Sequence, residues 1–104
     1  ERFRNMRPPT FHGESGERPL EFLTTLYELL QSVGMVQSHG VEYAVLQLRD
    51  QSREWWRSVA SSMAPESLPV TWETFAQIFS DRYITRSMRD AKRREFDSFL
   101  FIQF

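Results

Sequence analysis

The chain has 104 residues, a net charge of −1, 40% hydrophobic and 14% aromatic residues, and no cysteine. This length suits one hydrophobic core, and the apolar content excludes wholesale disorder. The lack of cysteine excludes disulfides, a thiol nucleophile and a Cys/His zinc knuckle within these residues. No window is apolar enough to span a membrane, and the first residues have no apolar signal core, so we expect a single cytoplasmic domain without a cofactor.

Residues 1–18 are predicted to form an extended arm ahead of a helical domain over residues 19–104. The arm is rich in proline and glycine, which favour turns and extended backbone over helix. Phe3 and Phe11 are the side chains that would anchor such an arm. The stretch GESGE within it lacks the final glycine and the preceding strand of a serine nucleophile elbow, so we expect a turn there.

Residues 19–33 are predicted to form the first helix, because Pro19 suits a first helical turn and Gly34 a helix end. Apolar residues at spacings of three and four are Leu20, Leu23, Leu26, Tyr27, Leu30 and Val33. With Phe22 and Leu29 included, apolar positions cover about half of the circumference, wider than the usual core-facing stripe. We therefore expect part of this face to meet a partner.

A second helix is predicted over residues 39–49, with Ser38 as its N-cap. The stripe expected to face the core consists of Val41, Ala44, Val45 and Leu48. Tyr43 and Leu46 point to a different side of this helix.

Asp50 begins a predicted third helix that contains two adjacent tryptophans. Trp56 lies at the centre of its apolar stripe, and Trp55 lies about 100° to one side, at the edge of the same stripe. Glu54 and Arg57 are three residues apart on the opposite side. We expect them to form a weak ion pair in water.

The proline-containing stretch APESLPV is predicted to be a loop between the third and fourth helices. Thr71 is the predicted N-cap of a helix over residues 71–83. Its apolar stripe consists of Trp72, Phe75, Ala76, Phe79 and Tyr83. Ser87 and Asp90 resemble a shortened capping box that opens a fifth helix, which extends to Phe99. Five short helices joined by brief loops predict a compact all-α bundle.

The sequence shows no recognisable catalytic or metal-binding pattern. His12 and His39 stand alone, without a second ligand at helical spacing. The four glycines form no phosphate-binding loop, and the carboxylates are spread over helix surfaces. We therefore expect a protein that is not an enzyme.

Four segments occur in an order that resembles the capsid region of the Gag polyprotein of gypsy-type LTR retrotransposons. They read PPTFHG, LQLRDQSREWW, TWETFAQIFSDRY and RDAKRREF. The positions that match the family pattern are Pro8, Pro9, Phe11, Gly13, Leu46, Leu48, Trp55, Trp56, Thr71, Trp72, Phe75, Phe79, Tyr83, Arg89, Ala91, Glu95 and Phe96. Asp50 and Ser52 stand where the family usually has glycine and alanine. The four segments together extend over nearly the whole chain.

The resemblance implies a helical N-terminal capsid lobe, similar in fold to retroviral capsid domains, that packs against copies of itself. It implies a structural, non-catalytic part of a transposable element. The protease, reverse transcriptase, integrase and RNA-binding zinc knuckle of such an element would be encoded elsewhere. We therefore expect a homo-oligomer, for which a symmetric dimer is the simplest closed form. The residues compatible with such self-association are Phe22 and Leu29 on the first helix and Tyr43 and Leu46 on the second.

Two alternative functions stay open at this point. The chain is also compatible with a domesticated peptide-binding adaptor, in which Trp55 and Tyr83 line a groove for an extended ligand. The third possibility is weak RNA binding through a basic stretch that acidic residues interrupt. The basic residues of that stretch are Arg86, Arg89, Lys92, Arg93 and Arg94.

Overall fold

A computed structural model describes residues 5–84 of the chain. Its α-helices are α1 (Pro19–Ser32), α2 (Val36–Leu46), α3 (Asp50–Ser62) and α4 (Trp72–Tyr83), and a 3-10 turn (Pro65–Ser67) precedes α4. Within this range there is no β-strand, and the only β-pairing is an isolated parallel bridge between Phe11 and Leu48. The all-α prediction is therefore confirmed for the described residues, whereas the predicted fifth helix and Phe96 lie outside them.

Three helix boundaries agree with the local signals in the sequence. α1 begins at Pro19, and α3 begins at Asp50. α4 follows Thr71, whose side-chain oxygen accepts a hydrogen bond from the backbone N–H of Thr74 at 3.2 Å. This side chain thus satisfies one of the backbone donors that a helix start leaves unpaired.

None of the helices in the described part is long and apolar enough to cross a membrane.

The start of α2 was predicted wrongly. α1 ends in a left-handed turn in which Gly34 has a φ of 68° and Met35 donates its N–H to the Leu30 carbonyl at 2.9 Å. This arrangement caps the end of α1, and α2 begins directly after it, at Val36. Ser38 therefore lies inside α2 and is not its N-cap.

The hydrophobic core forms where α1, α2 and α4 pack against one another. Its largest fully buried apolar side chains are Trp72, Phe75, Phe79, Leu23, Leu26, Leu30 and Leu48. α3 adds Trp56, which is 7% exposed and has its ring centroid 5.1 Å from that of Phe75. Trp55 is only half-buried and packs against the edge of this core. The two tryptophans thus occupy the centre and the edge of one stripe, as the helical projection indicates.

Part of the predicted arm is an integral component of the fold. Phe11 is 2% exposed, and its ring centroid lies 5.3 Å from that of Phe22, 5.2 Å from that of Phe79 and 4.9 Å from that of Tyr83. Such ring pairs are stabilising when they are buried. Phe11 therefore acts as the anchor that the sequence indicated, whereas Phe3 lies outside the described residues.

The same segment of the arm determines where α2 ends. The Phe11 N–H donates to the Gln47 carbonyl at 3.0 Å, and the Arg49 N–H donates to the Phe11 carbonyl at 2.8 Å. These two bonds take the Gln47 carbonyl and the Arg49 N–H out of the helical pattern, while the N–H groups of Gln47 and Leu48 donate only three residues back, to Ala44 and Val45. The predicted end of this helix at residue 49 was therefore wrong, and α2 ends at Leu46.

Candidate functional site

Phe22, one of the two predicted self-association residues of α1, is not on an open surface. Phe22 is 6% exposed, and its ring lies against those of Phe11 and Phe79. The prediction for Phe22 was therefore wrong. The apolar face of α1 is wider than the usual core-facing stripe because Phe11 of the arm packs on its additional width. Leu29 is partly buried and packs against the core as well.

The outer flank of α2 carries the more accessible part of the predicted surface. Leu46 is 49% exposed, Tyr43 is half-buried, and the exposed His39 has its ring centroid 6.3 Å from that of Tyr43. These three positions fall within an arc of about 60° on a helix. We call them the α2 face. It presents an aliphatic and an aromatic side chain together on a regular helix.

Trp55 and Tyr83 form a half-buried aromatic pair at another edge of the core. Their ring centroids are 5.2 Å apart with an interplanar angle of 81°, an edge-to-face arrangement. The guanidinium of Arg82 lies 5.6 Å from the centre of the Tyr83 ring, within the range of a cation–π contact. The structure therefore brings together the two aromatic residues predicted to line a peptide groove.

Two open clefts lie elsewhere on the described surface. A cleft of about 350 Å³ between the arm and α1 is lined by Pro9, Thr10, Phe11, Gly16, Glu17, Arg18, Glu21, Phe22 and Thr25. A second cleft, of about 330 Å³ at the turn between α1 and α2, is lined by Tyr27, Gln31, Gly34, Val36, Gln37 and Ser38. Neither cleft includes Trp55 or Tyr83, so these two residues form an edge and not the wall of either cleft.

A polar junction joins the arm to the first turn of α3. Ser52 is fully buried; its hydroxyl donates to the Phe11 carbonyl at 2.6 Å, and its N–H donates to the His12 carbonyl at 3.0 Å. On the arm side of the junction, Nδ1 of His12 lies 2.6 Å from a carboxylate oxygen of Asp50. We call Phe11, His12, Glu17, Asp50 and Ser52 the arm junction.

Glu17 organises the turn that the sequence predicts for GESGE. Its carboxylate accepts hydrogen bonds from the backbone N–H groups of His12 at 2.9 Å, Gly13 at 2.7 Å and Glu14 at 2.8 Å. Partial burial raises the pKa of the Glu17 carboxyl, but the hydrogen bonds from His12, Glu14 and Gly13 outweigh it, and the net pKa is lowered. Glu17 therefore holds the turn together in its ionised form.

Gly13 permits the close approach of the arm to the helices. Its φ of 90° lies in the left-handed region, which residues with a side chain rarely adopt. A Cβ atom at this position would lie 3.1 Å from the Tyr83 hydroxyl oxygen and 3.2 Å from the Ser52 backbone nitrogen. A side chain at residue 13 would therefore push the arm away from both α3 and α4.

His12 is partnered, in contrast to the isolated position that its sequence surroundings suggest. The hydrogen bond to Asp50 raises the pKa of the His12 imidazole; slight desolvation opposes this rise, and the negative charges of Asp50, Glu17 and Glu14 add to it. Serine, histidine and aspartate thus meet at the arm junction. Their geometry differs from a catalytic triad, because the Ser52 hydroxyl donates to a backbone carbonyl rather than to the imidazole.

The remaining site predictions fall on other parts of the chain. Among residues 5–84 there is no group of three or more potential metal-ligating side chains. Glu54 and Arg57 form the expected ion pair at 3.3 Å, with both side chains mostly exposed. The predicted RNA-contacting residues Arg86, Arg89, Lys92, Arg93 and Arg94 lie outside the described residues.

The sequence interpretation missed the arm junction because its members are far apart along the chain. A carboxylate directly after a glycine-containing turn, as in HGESGE, was the one local signal for it.

Comparisons with protein-family models, with curated proteins and with solved structures give no match for this chain. The residues described above and the resemblance of the sequence motifs therefore provide the basis for a functional proposal.

Proposed function

We propose that this protein is a structural, non-catalytic capsid lobe of the retrotransposon Gag type, which self-associates in particle assembly through helix faces. The observation that supports this proposal most directly is the exposure of Leu46 beside Tyr43 on the α2 face. The partner is a second copy of the chain. A symmetric dimer is the simplest closed assembly that such a face can form.

Leu46 differs from the other exposed large apolar residues of the described chain in its setting. Met6 and Leu68, which are 39% and 50% exposed, lie in non-helical segments. Leu46 lies in the last turn of α2, whose buried side carries Gly40 and Ala44. A helix that is already ordered loses less conformational entropy on association than a loop does. Leu46 is therefore better placed for a specific contact than Met6 or Leu68.

Charges of both signs lie near the α2 face. Glu42 is exposed and is a neighbour of Tyr43 on α2. The guanidinium of Arg49 binds the backbone carbonyl of Leu46. The apolar contact of Leu46 and Tyr43, and not a net charge of one sign, is therefore the basis of the proposed association.

Sedimentation velocity over a series of protein concentrations tests this proposal. The average mass of the wild-type chain should increase with concentration, and Leu46→Lys should keep the chain monomeric. Leu68→Lys is the matched control, because it places the same charge at an equally exposed leucine outside the α2 face. Circular dichroism of each variant verifies that the helices are retained.

Two results would contradict the proposal in different ways. A wild-type chain that stays monomeric at every concentration would exclude self-association by these residues. Association that Leu46→Lys and Leu68→Lys reduce equally would place the contact elsewhere than on the α2 face. The half-buried aromatic pair of Trp55 and Tyr83 supports the alternative, a peptide-binding adaptor.

A further inference from the structure

The contact between His12 and Asp50 is the one side-chain ion pair at the arm junction. Its Nδ1–Oδ2 distance is 2.6 Å, and the side chains are 39% and 64% exposed, so protons from solvent reach both groups. His12 adjoins Phe11, the aromatic anchor of the arm, and Asp50 is the first residue of α3. The pair therefore links the seated part of the arm to the helix beside it.

We propose that this pair is a proton-controlled latch. With His12 protonated, its attraction to Asp50 holds the arm on α3; when His12 loses its proton, the ionic part of that attraction disappears and the arm opens more often. Opening unseats Phe11 and uncovers Phe22 beneath it, while the helices remain folded. This inference does not depend on the proposed self-association.

The charges around His12 all favour its protonated form. Asp50 faces it from α3, and Glu17 and Glu14 face it from the arm itself. From α4, the nearest titratable group is the hydroxyl of Tyr83, which lies beside Gly13. The cation nearest in sequence to Asp50 is Arg49, whose guanidinium is occupied with the carbonyls of Leu46 and Leu48. Arg53, three residues after Asp50 on α3, donates its Nε–H to the Leu48 carbonyl. Among the described residues, Asp50 forms its ion pair with His12 and not with either arginine.

The direction of the pH dependence follows from the raised pKa of the His12 imidazole relative to its ordinary value of 6.5. The stabilising effect is fully present below pH 6.5 and is lost as the pH rises through the higher pKa of the seated state. Glu17 acts in the opposite sense, since its pKa lies below the ordinary 4.5. Its contribution is present above pH 4.5 and is lost only as the pH falls through the lowered pKa. The arm is thus held most firmly between these two transitions.

Amide hydrogen exchange measured by NMR on the wild-type chain tests the latch. The N–H groups of Arg49 and Ser52 donate to carbonyls of the arm at 2.8 and 3.0 Å, and each has a second, longer contact of 3.1 Å within the first turn of α3, to the Ser52 hydroxyl and the Arg49 carbonyl. Their protection should therefore fall, but not vanish, when the arm leaves its seat. Leu26, fully buried in α1, is the internal reference. After correction for intrinsic exchange rates, the protection of Arg49 and Ser52 should fall by about two- to fivefold from pH 6 to pH 8.5, as expected for an exposed ion pair. Leu26 should stay more strongly protected than Arg49 and Ser52 at every pH, because its N–H exchanges only when α1 unfolds.

Variants at both members of the pair separate the latch from a general effect of pH. In His12→Gln and in Asp50→Asn, the protection of Arg49 and Ser52 should become independent of pH and equal to the lower, high-pH value of the wild type. The imidazole of His12 should titrate at a lower pH in Asp50→Asn than in the wild type, which one-dimensional NMR shows even if the arm is loosened. Wild-type protection that does not change with pH, or that changes equally in His12→Gln, would overturn the proposal.

Discussion

Replacement of Phe11 by alanine would show how much of the stability of the helical domain depends on the arm. The side chain is 2% exposed and contacts the rings of Phe22, Phe79 and Tyr83. Truncation of a buried phenylalanine to alanine costs about 3–5 kcal/mol, because the lost apolar burial is combined with a cavity. Since whole domains are stable by only about 5–15 kcal/mol, this change should remove a large share of the total. The melting temperature should fall by about 12 °C or more.

Urea unfolding followed by circular dichroism and by tryptophan fluorescence measures this loss. The experiment is best done near pH 6, where His12 is charged and Glu17 is ionised. Met6→Ala is the matched control, because Met6 belongs to the same arm but is 39% exposed. This exposed substitution should change the free energy of unfolding by no more than about 0.5 kcal/mol.

The outcome that would refute this reasoning is a Phe11→Ala variant as stable as Met6→Ala with an unchanged denaturant slope. In that case Phe11 would contribute no packing energy in solution, and the arm would be an appendage, as the predicted division at residue 18 implies. A reduced slope with little loss of stability would indicate that the arm had already separated from the helices before they unfolded.

Two further predictions concern the tryptophans and the basic stretch. Trp56→Ala should lower the free energy of unfolding by about 3–5 kcal/mol, and Trp55→Ala by distinctly less, because Trp56 is buried and Trp55 is only half-buried. Urea titrations measure both losses. Equal losses would show that the assignment of Trp56 to the centre and Trp55 to the edge of the apolar stripe is wrong. If the chain binds RNA through its basic stretch, the affinity measured by fluorescence anisotropy should fall steeply with salt, and combined Arg93→Glu and Arg94→Glu should abolish it. Absence of any binding at low salt would exclude that function.

The helices were predictable where strong local signals mark their ends. Pro19 starts α1, Gly34 ends it, and Thr71 caps α4, each through backbone or side-chain chemistry that needs no distant partner. The stripe that contains Trp56 was equally visible, since helical periodicity alone determines which side chains share a face. These features provide the all-α architecture of the described residues.

The rest depends on contacts between residues far apart in the chain. The end of α2 is determined by the backbone of Phe11, and a helical pattern contains no information about a segment arriving from elsewhere. The same contact explains why Phe22 is in the core rather than on a surface. His12 and Asp50 are 38 positions apart, so no local spacing rule indicates their pairing. The α2 face was predictable in part, because Tyr43 and Leu46 lie away from the apolar stripe of their helix.

The seat of Phe11 also imposes an order on folding during synthesis. Phe11 leaves the ribosome early, but Phe79 and Tyr83, which form part of its seat, are made only with the last described helix. Until then α1, α2 and α3 can begin to form while the anchor of the arm stays exposed to water and to other nascent chains. Contacts of long sequence separation form late and leave apolar groups open to aggregation in the meantime. The arm, although it is synthesised before the four helices, therefore cannot take its full seat until α4 has been made.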